Sequence, residues 1–258
     1  MKWIIVVCGA ALLIAGCGDL KEGTVGPVDI GGDLWNDLTV IGDEFFTTNY
    51  DGNEGPGDRI YLYRLDTLGV MIDSVNLGMN GQEYCSITDD ETDFYVAGSS
   101  YGTRFRFSPS GRMKAFSREL PGVGGWMQGG IAYHTIWDSV YVLMWHVNDP
   151  GTVRLYSVNR ETMDMLNYRL FTVSDGYDYF AMTCKDVNFD SCFHFLCRKT
   201  NEEHTVFWMQ FNHDTGSVRI NGLCNDDIRG ITSRNGYILA IYEDHRIFSL
   251  HPVATHKP

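Results

Sequence analysis

Residues 84 to 120, YCSITDDETDFYVAGSSYGTRFRFSPSGRMKAFSREL, read as one four-stranded unit. Ser86-Ile87-Thr88 is a short β-prone opening, followed by the acidic turn Asp89 to Asp93. Phe94-Tyr95-Val96-Ala97 is rich in the aromatic and β-branched residues that fit a pleated surface. Gly98 to Gly102 is a turn by composition. Arg104-Phe105-Arg106-Phe107 alternates charge with aromatic ring, the period-two signature of a strand with one wet face. After the turn at Ser108-Pro109-Ser110-Gly111, the polar run Met113 to Leu120 suits an outer edge strand.

The same order recurs along the chain. The apolar opening residue falls at Leu38, Ile87, Ile131, Met182 and Ile231, in DLT, SIT, GIA, AMT and GIT, with steps of 49, 44, 51 and 49 residues. The residue closing the third strand falls at Leu65, Phe107, Val158, Phe211 and Leu250. Two independent anchors with the same count and a period in the forties predict an all-β fold. It is a β-propeller of about five four-stranded blades, each burying its faces against its neighbours. An irregular β-sandwich or an open array is the alternative. The fifth unit ends at His251-Pro252 without a fourth strand, so Val25 to Ile30 is expected to close the ring as an outer strand of the last blade.

The blade pattern, an opening GI[AT] and a third strand ending in Asp/Asn-x-x-Gly, resembles the NHL, YVTN and regucalcin-like propellers over about residues 34–252. That resemblance implies architecture, because propellers host many unrelated activities.

Met1-Lys2 followed by the apolar run Trp3 to Ala15 is too short for an ordinary membrane span. It ends in Leu13-Ile14-Ala15-Gly16-Cys17, which is similar to the lipobox of bacterial lipoproteins. The resemblance implies cleavage before Cys17, acylation of its thiol (with palmitate among the chains) and attachment to the cell envelope. With Gly18 rather than Asp after the cysteine, the outer membrane is the expected address where the source has two membranes. The organisation is then a signal peptide over 1–16, a lipidated tether and closing strand over 17–32, the propeller over 33–252 and a short tail over 253–258.

The formal net charge is -13, and loss of Lys2 with the leader makes it one unit more negative. Such a chain does not neutralise phosphates, which argues against nucleic acid and against anionic lipid beyond the acyl anchor. With Cys8 in the leader and Cys17 acylated, Cys85, Cys184, Cys192, Cys197 and Cys224 remain. Export permits disulfides, and Cys184 with Cys192, flanking one turn, is the best-placed pair. The odd count leaves at least one thiol free.

Loops leading into the inner strands of a propeller share one face. Three and four residues ahead of each opening triplet stand Leu34, Glu83, Met127, Asp178 and Asp227, and Asp33, Gln82, Trp126, Tyr177 and Asp226. Trp35, Asn36, Tyr84, Gln128, Tyr179 and Arg229 lie nearer still. The candidate ligand-binding set is Glu83, Trp126, Gln128, Tyr177, Asp178, Asp227 and Arg229, and no catalytic residue is assigned. Three carboxylates could hold a hard cation such as calcium. They could instead act as acid and base on a glycosidic bond beside aromatic platforms, or they could be a solvated rim. The expectation is a lipid-anchored binding module for a small molecule, glycan or protein. The alternative is a calcium-assisted hydrolase of glycosidase or lactonase type.

Other motifs carry less. Asp51 to Asp58 lacks the closing Glu of an EF-hand and reads as an extended hairpin turn. Gly98-Ser99-Ser100-Tyr101-Gly102 matches G-x-S-x-G but has strands on both sides, not the strand-to-helix elbow. The acidic stretch Asp89 to Asp93 likewise reads as a hairpin turn. Trp137, Trp145 and Trp208 are expected to pack between blades.

Overall fold

The computed structural model describes residues 34–50, 61–66, 71–77, 85–98, 102–118, 125–173, 176–184, 192–199, 206–224, 228–234, 237–242 and 247–250. Cys17, the expected closing strand Val25 to Ile30 and the Asp51 to Asp58 loop lie outside the described residues.

Five antiparallel meanders follow one another. The first blade holds β1 (Leu34–Ile41), β2 (Glu44–Tyr50), β3 (Tyr61–Leu65) and β4 (Met71–Asn76). The second holds β5 (Cys85–Asp89), β6 (Phe94–Gly98), β7 (Thr103–Phe107) and β8 (Met113–Arg118). The third holds β9 (Trp126–His134), β10 (Ser139–His146), β11 (Asp149–Val158) and β12 (Met165–Thr172). The fourth holds β13 (Tyr177–Thr183), β14 (Cys192–Lys199), β15 (Val206–Asn212) and β16 (Val218–Cys224). The fifth, with three strands among the described residues, holds β17 (Ile228–Arg234), β18 (Tyr237–Tyr242) and β19 (Ile247–Leu250). β1 lies against β5, β5 against β9, β9 against β13, β13 against β17, and β17 against β1, which closes the ring. Every opening anchor sits on a first strand and every closing anchor on a third strand.

The period-two pattern explains how a blade is held from both sides. In β6, Phe94 and Val96 join the core between the first and second blades, while Tyr95 and Ala97 join the core between the second and third. Separate apolar clusters fill the remaining junctions: third with fourth around Phe171, Tyr179 and Phe195, fourth with fifth around Trp208 and Ile231, and fifth with first around Leu38 and Ile241. Inner and middle strands are therefore apolar on both faces, and the outer strands β4, β8 and β12 are mostly exposed.

One expectation about a polar residue is corrected. Arg104 does not face solvent. It is 0% exposed, and its guanidinium donates to the carbonyls of Met163 (2.7 Å) and Gly102 (2.6 Å) and to Ser117 Oγ (3.1 Å). In a propeller the second face of a middle strand meets the next blade rather than water. The acidic turn is also buried: Asp89, Asp90 and Asp93 are all at or below 9% exposure. Asp93 pairs with Arg106 (2.8 Å) and Lys114 (2.5 Å). Asp90 pairs with Arg160, from the β11–β12 turn, and accepts from Tyr95 Oη (2.6 Å). Burial alone would push the Asp90 carboxyl up. The donors Thr92, Tyr95 and the Asp93 and Thr92 amides outweigh it and hold the carboxyl well below the usual carboxylate range.

The Cys184–Cys192 disulfide is a second correction. Cys184, Cys192 and Cys197 are free and buried, and Cys224 is buried as well. Cys184 Sγ donates to the Tyr133 carbonyl of the third blade (3.2 Å), whereas Cys192 Sγ accepts from Asn212 Nδ2 in its own blade (3.5 Å). Burial raises the Cys184 and Cys197 thiols well above their ordinary value, which suppresses thiolate chemistry.

Candidate functional site

The inner strands share a device absent from the sequence pattern. β1, β9, β13 and β17 each slip register by one residue, and the ladder skips Asn36, Gly129, Phe180 and Arg229, two places before the apolar anchor. A bulge of this kind bends the strand and re-aims the side chains beside it. At the third and fourth blades it opens a cavity of about 160 Å³ lined by Met127, Gln128, Trp145, Asp178, Tyr179, Phe180 and Arg198. Gly129 permits the close approach: a Cβ there would stand 2.6 Å from Tyr179 Cβ and 2.8 Å from the Tyr179 carbonyl oxygen.

Strand pairing places the lining. Met127 is opposite Trp145, and Asp178 is opposite Arg198. Arg198 lies 5.1 Å over the Phe180 ring. Gln128 is 4% exposed and anchored to the second blade, where Nε2 donates to the carbonyls of Gly98 (2.7 Å) and Thr103 (3.1 Å). Both acceptors are carbonyls, so the amide has one orientation and Oε1 is presented as an acceptor.

Four buried polar atoms of the lining, Gln128 Oε1, Trp145 Nε1, Asp178 Oδ1 and Tyr179 Oη, have no hydrogen-bond partner among the described residues. Buried polar atoms are nearly always paired, so four on the residues lining one cavity single it out as the candidate site. Burial raises the Asp178 carboxyl above its ordinary value, with Arg198 pulling the other way. It also pushes the Tyr179 hydroxyl far up, so Tyr179 stays neutral.

Of the seven residues proposed from sequence, the structure brings Gln128 and Asp178 together. Trp126 sits outside the cavity wall, under the Arg154 guanidinium (4.1 Å) and edge-on to His146. Tyr177 packs into the apolar core against Phe207. Arg229 occupies the β17 bulge, away from the cavity lining. Glu83 and Asp227 lie outside the described residues. Trp145 and Arg198 were missed because each is a second-strand residue, reached only through the hairpin register opposite Met127 and Asp178. Trp145 does pack against the third–fourth core, as expected, and its indole N–H adds a polar function.

A second polar centre lies on the inner ring. Asp37 is 0% exposed. Its Oδ1 accepts from the amides of Leu38 (2.9 Å) and Ile231 (3.0 Å), and its Oδ2 from Ser86 Oγ (2.5 Å) and the Ile87 amide (3.2 Å). One carboxyl thus ties β1 to β5 and β17. Burial pushes it up to about 8 against the pull of these four donors. Its surroundings are filled, so it is structural and not part of the cavity.

No protein-family model matches the chain, and no curated protein matches it in sequence. Among solved structures, Myxococcus xanthus glutaminyl cyclase is similar at TM-score 0.53 and 13% identity, over 86% of this chain and 91% of that one. An alpha-L-arabinofuranosidase, CtGH43 of Clostridium thermocellum, is similar at TM-score 0.56 and 12% identity, over 83% of each chain. The chain is a β-propeller. At such identities the likeness to either propeller carries architecture, and the chemistry must come from the cavity.

Proposed function

We propose that this propeller is a lipid-anchored ligand-binding module of the cell envelope, with the cavity between its third and fourth blades as the binding site. The observation that carries the reading is that four residues of the lining, Gln128, Trp145, Asp178 and Tyr179, each carry an unpartnered buried polar atom. A fold that kept such atoms without a use would lose stability for nothing, whereas a binding site trades that stability for recognition.

Tyr179→Phe tests it. The change removes one unpartnered hydroxyl and leaves the ring. It is expected to stabilise the protein by about 1 kcal/mol, the scale of a buried unsatisfied polar group, read as a rise of roughly 2–4 °C in melting temperature. A fall of the same size would show that the hydroxyl is satisfied within the fold, and the cavity would then be a packing feature.

A hydrolase at the same site is the second reading, favoured by Asp178. A carboxyl raised by burial is the kind that serves as a general acid. A two-carboxylate mechanism needs its partner within about 5–9.5 Å. Asp178 is the one carboxylate among the described lining residues, and this reading takes Glu83 or Asp227 as its partner. Among the described residues no group of three or more His, Cys, Asp or Glu is placed to hold a metal ion. Calcium would likewise depend on Glu83 and Asp227.

Anchoring rests on the lipobox-like stretch ending at Cys17. Cells fed an alkynyl fatty acid are expected to label the protein, and Cys17→Ser should abolish the label and release the chain from the membrane fraction. Label retained by the variant would remove the anchor from this proposal.

A further inference from the structure

Taking the cavity as the binding site, we infer that its ligand is a neutral, single-ring polyhydroxy compound, a monosaccharide unit. Size comes first. A cavity of about 150 Å³ in an engineered protein accommodates benzene, and this one is about 160 Å³. It is large enough to seat one six-membered ring.

Polarity narrows the class further. Gln128 Oε1 accepts only, because Nε2 is committed to two carbonyls. Trp145 Nε1 donates only. Tyr179 Oη and Asp178 Oδ1 add two more contacts from β13. A ligand must therefore donate at one point, accept at another, and meet four polar groups from a single ring. An ammonium only donates and a carboxylate only accepts. A cyclic amide does both, but at two points. Hydroxyls donate and accept at every substituted carbon, so a polyol ring satisfies all four.

Charge and shape agree. Asp178 faces Arg198 across the β13–β14 pair, so the lining offers a charge pair and no net charge to recruit an ion. Met127, Phe180 and the Trp145 ring supply an apolar wall for the C–H face of a sugar.

The experiment is saturation-transfer NMR on the full-length chain, purified in a detergent without sugar headgroups. The probes are D-glucose, D-galactose, L-arabinose and their methyl glycosides, with ethylammonium, acetate and pyrrolidin-2-one as controls. At least one sugar is expected to bind saturably. Binding should weaken roughly three- to tenfold in Trp145→Phe and in Tyr179→Phe, each of which removes one hydrogen bond. Binding of the methyl glycoside as well would point to the terminal unit of a glycan, and its loss to a free sugar. If a control binds in place of the sugars and Trp145→Phe weakens it, the sugar assignment falls while the cavity remains a binding site. Sugar binding untouched by both variants, or no sugar binding beside a stabilised Tyr179→Phe protein, also overturns the assignment.

Discussion

Asp37→Ala is expected to destabilise the propeller by about 4 kcal/mol, on the scale of about 1 kcal/mol for each of four lost hydrogen bonds. The substitution strips an acceptor from four donors at once, and those donors come from three blades. Asn should recover most of the loss. Its Oδ1 can keep the Leu38 and Ile231 amides and its Nδ2 can donate to Ser86 Oγ, while the Ile87 amide, at 3.2 Å the longest contact, goes unmet. Gly230 shows how tightly the site is closed, since a Cβ there would stand 2.4 Å from Asp37 Cα.

The pH dependence follows from the same burial. Asp37 titrates at about 8 when folded and near the ordinary value of about 3.9 when unfolded. A raised carboxyl holds its proton in the folded state while the unfolded chain has already lost it. Its contribution is therefore fully present below about pH 4 and is lost as pH rises through about 8. Asp90, held low, acts in the opposite direction, and its contribution is lost only as pH falls through the acid range. Urea unfolding of wild type and Asp37→Asn between pH 4 and 9 isolates the Asp37 part. The wild-type advantage should shrink with rising pH. Parallel curves would mean that the four donors keep Asp37 ionised throughout.

Arg104→Met is the second large effect, with an expected loss of about 3 kcal/mol from hydrogen bonds made by a charged donor. Methionine fills much of the same space, so the loss reports the guanidinium rather than a void. Arg104 joins β7 to the β11–β12 turn through the carbonyl of Met163, a buried residue held at a φ of 64°. Ser117, which accepts from Arg104, donates in turn to Asp164 Oδ1 (2.8 Å) in that turn. Hydrogen exchange should quicken in β7 and in the turn, with the first blade unchanged. A variant as stable as wild type would instead mean that the buried cation is retained at a net cost, with the apolar contacts of Tyr95, Val140 and Val158 sustaining the junction.

The architecture was legible in the chain because a propeller repeats it. Two anchors per unit, an apolar opening and an apolar close, determined the number of blades and the strand holding each anchor. Period two alone could not tell water from a neighbouring blade, so Arg104 looked exposed. Only the ring decides that both faces of a middle strand are interior. The site divides in the same way. Counting from the anchors singled out Gln128 and Asp178, because repeat-equivalent positions ahead of the inner strands share one face. Trp145, Tyr179, Phe180 and Arg198 came together through bulges and cross-strand register. These are backbone events that no residue type announces, and they depend on how closely two inner strands approach at Gly129. Asp37 was passed over for a related reason. One carboxyl in a series that otherwise reads Ser86, Gly130, Ala181 and Gly230 gains its role from donors 49, 50 and 194 residues away, and the closed ring alone puts them within reach.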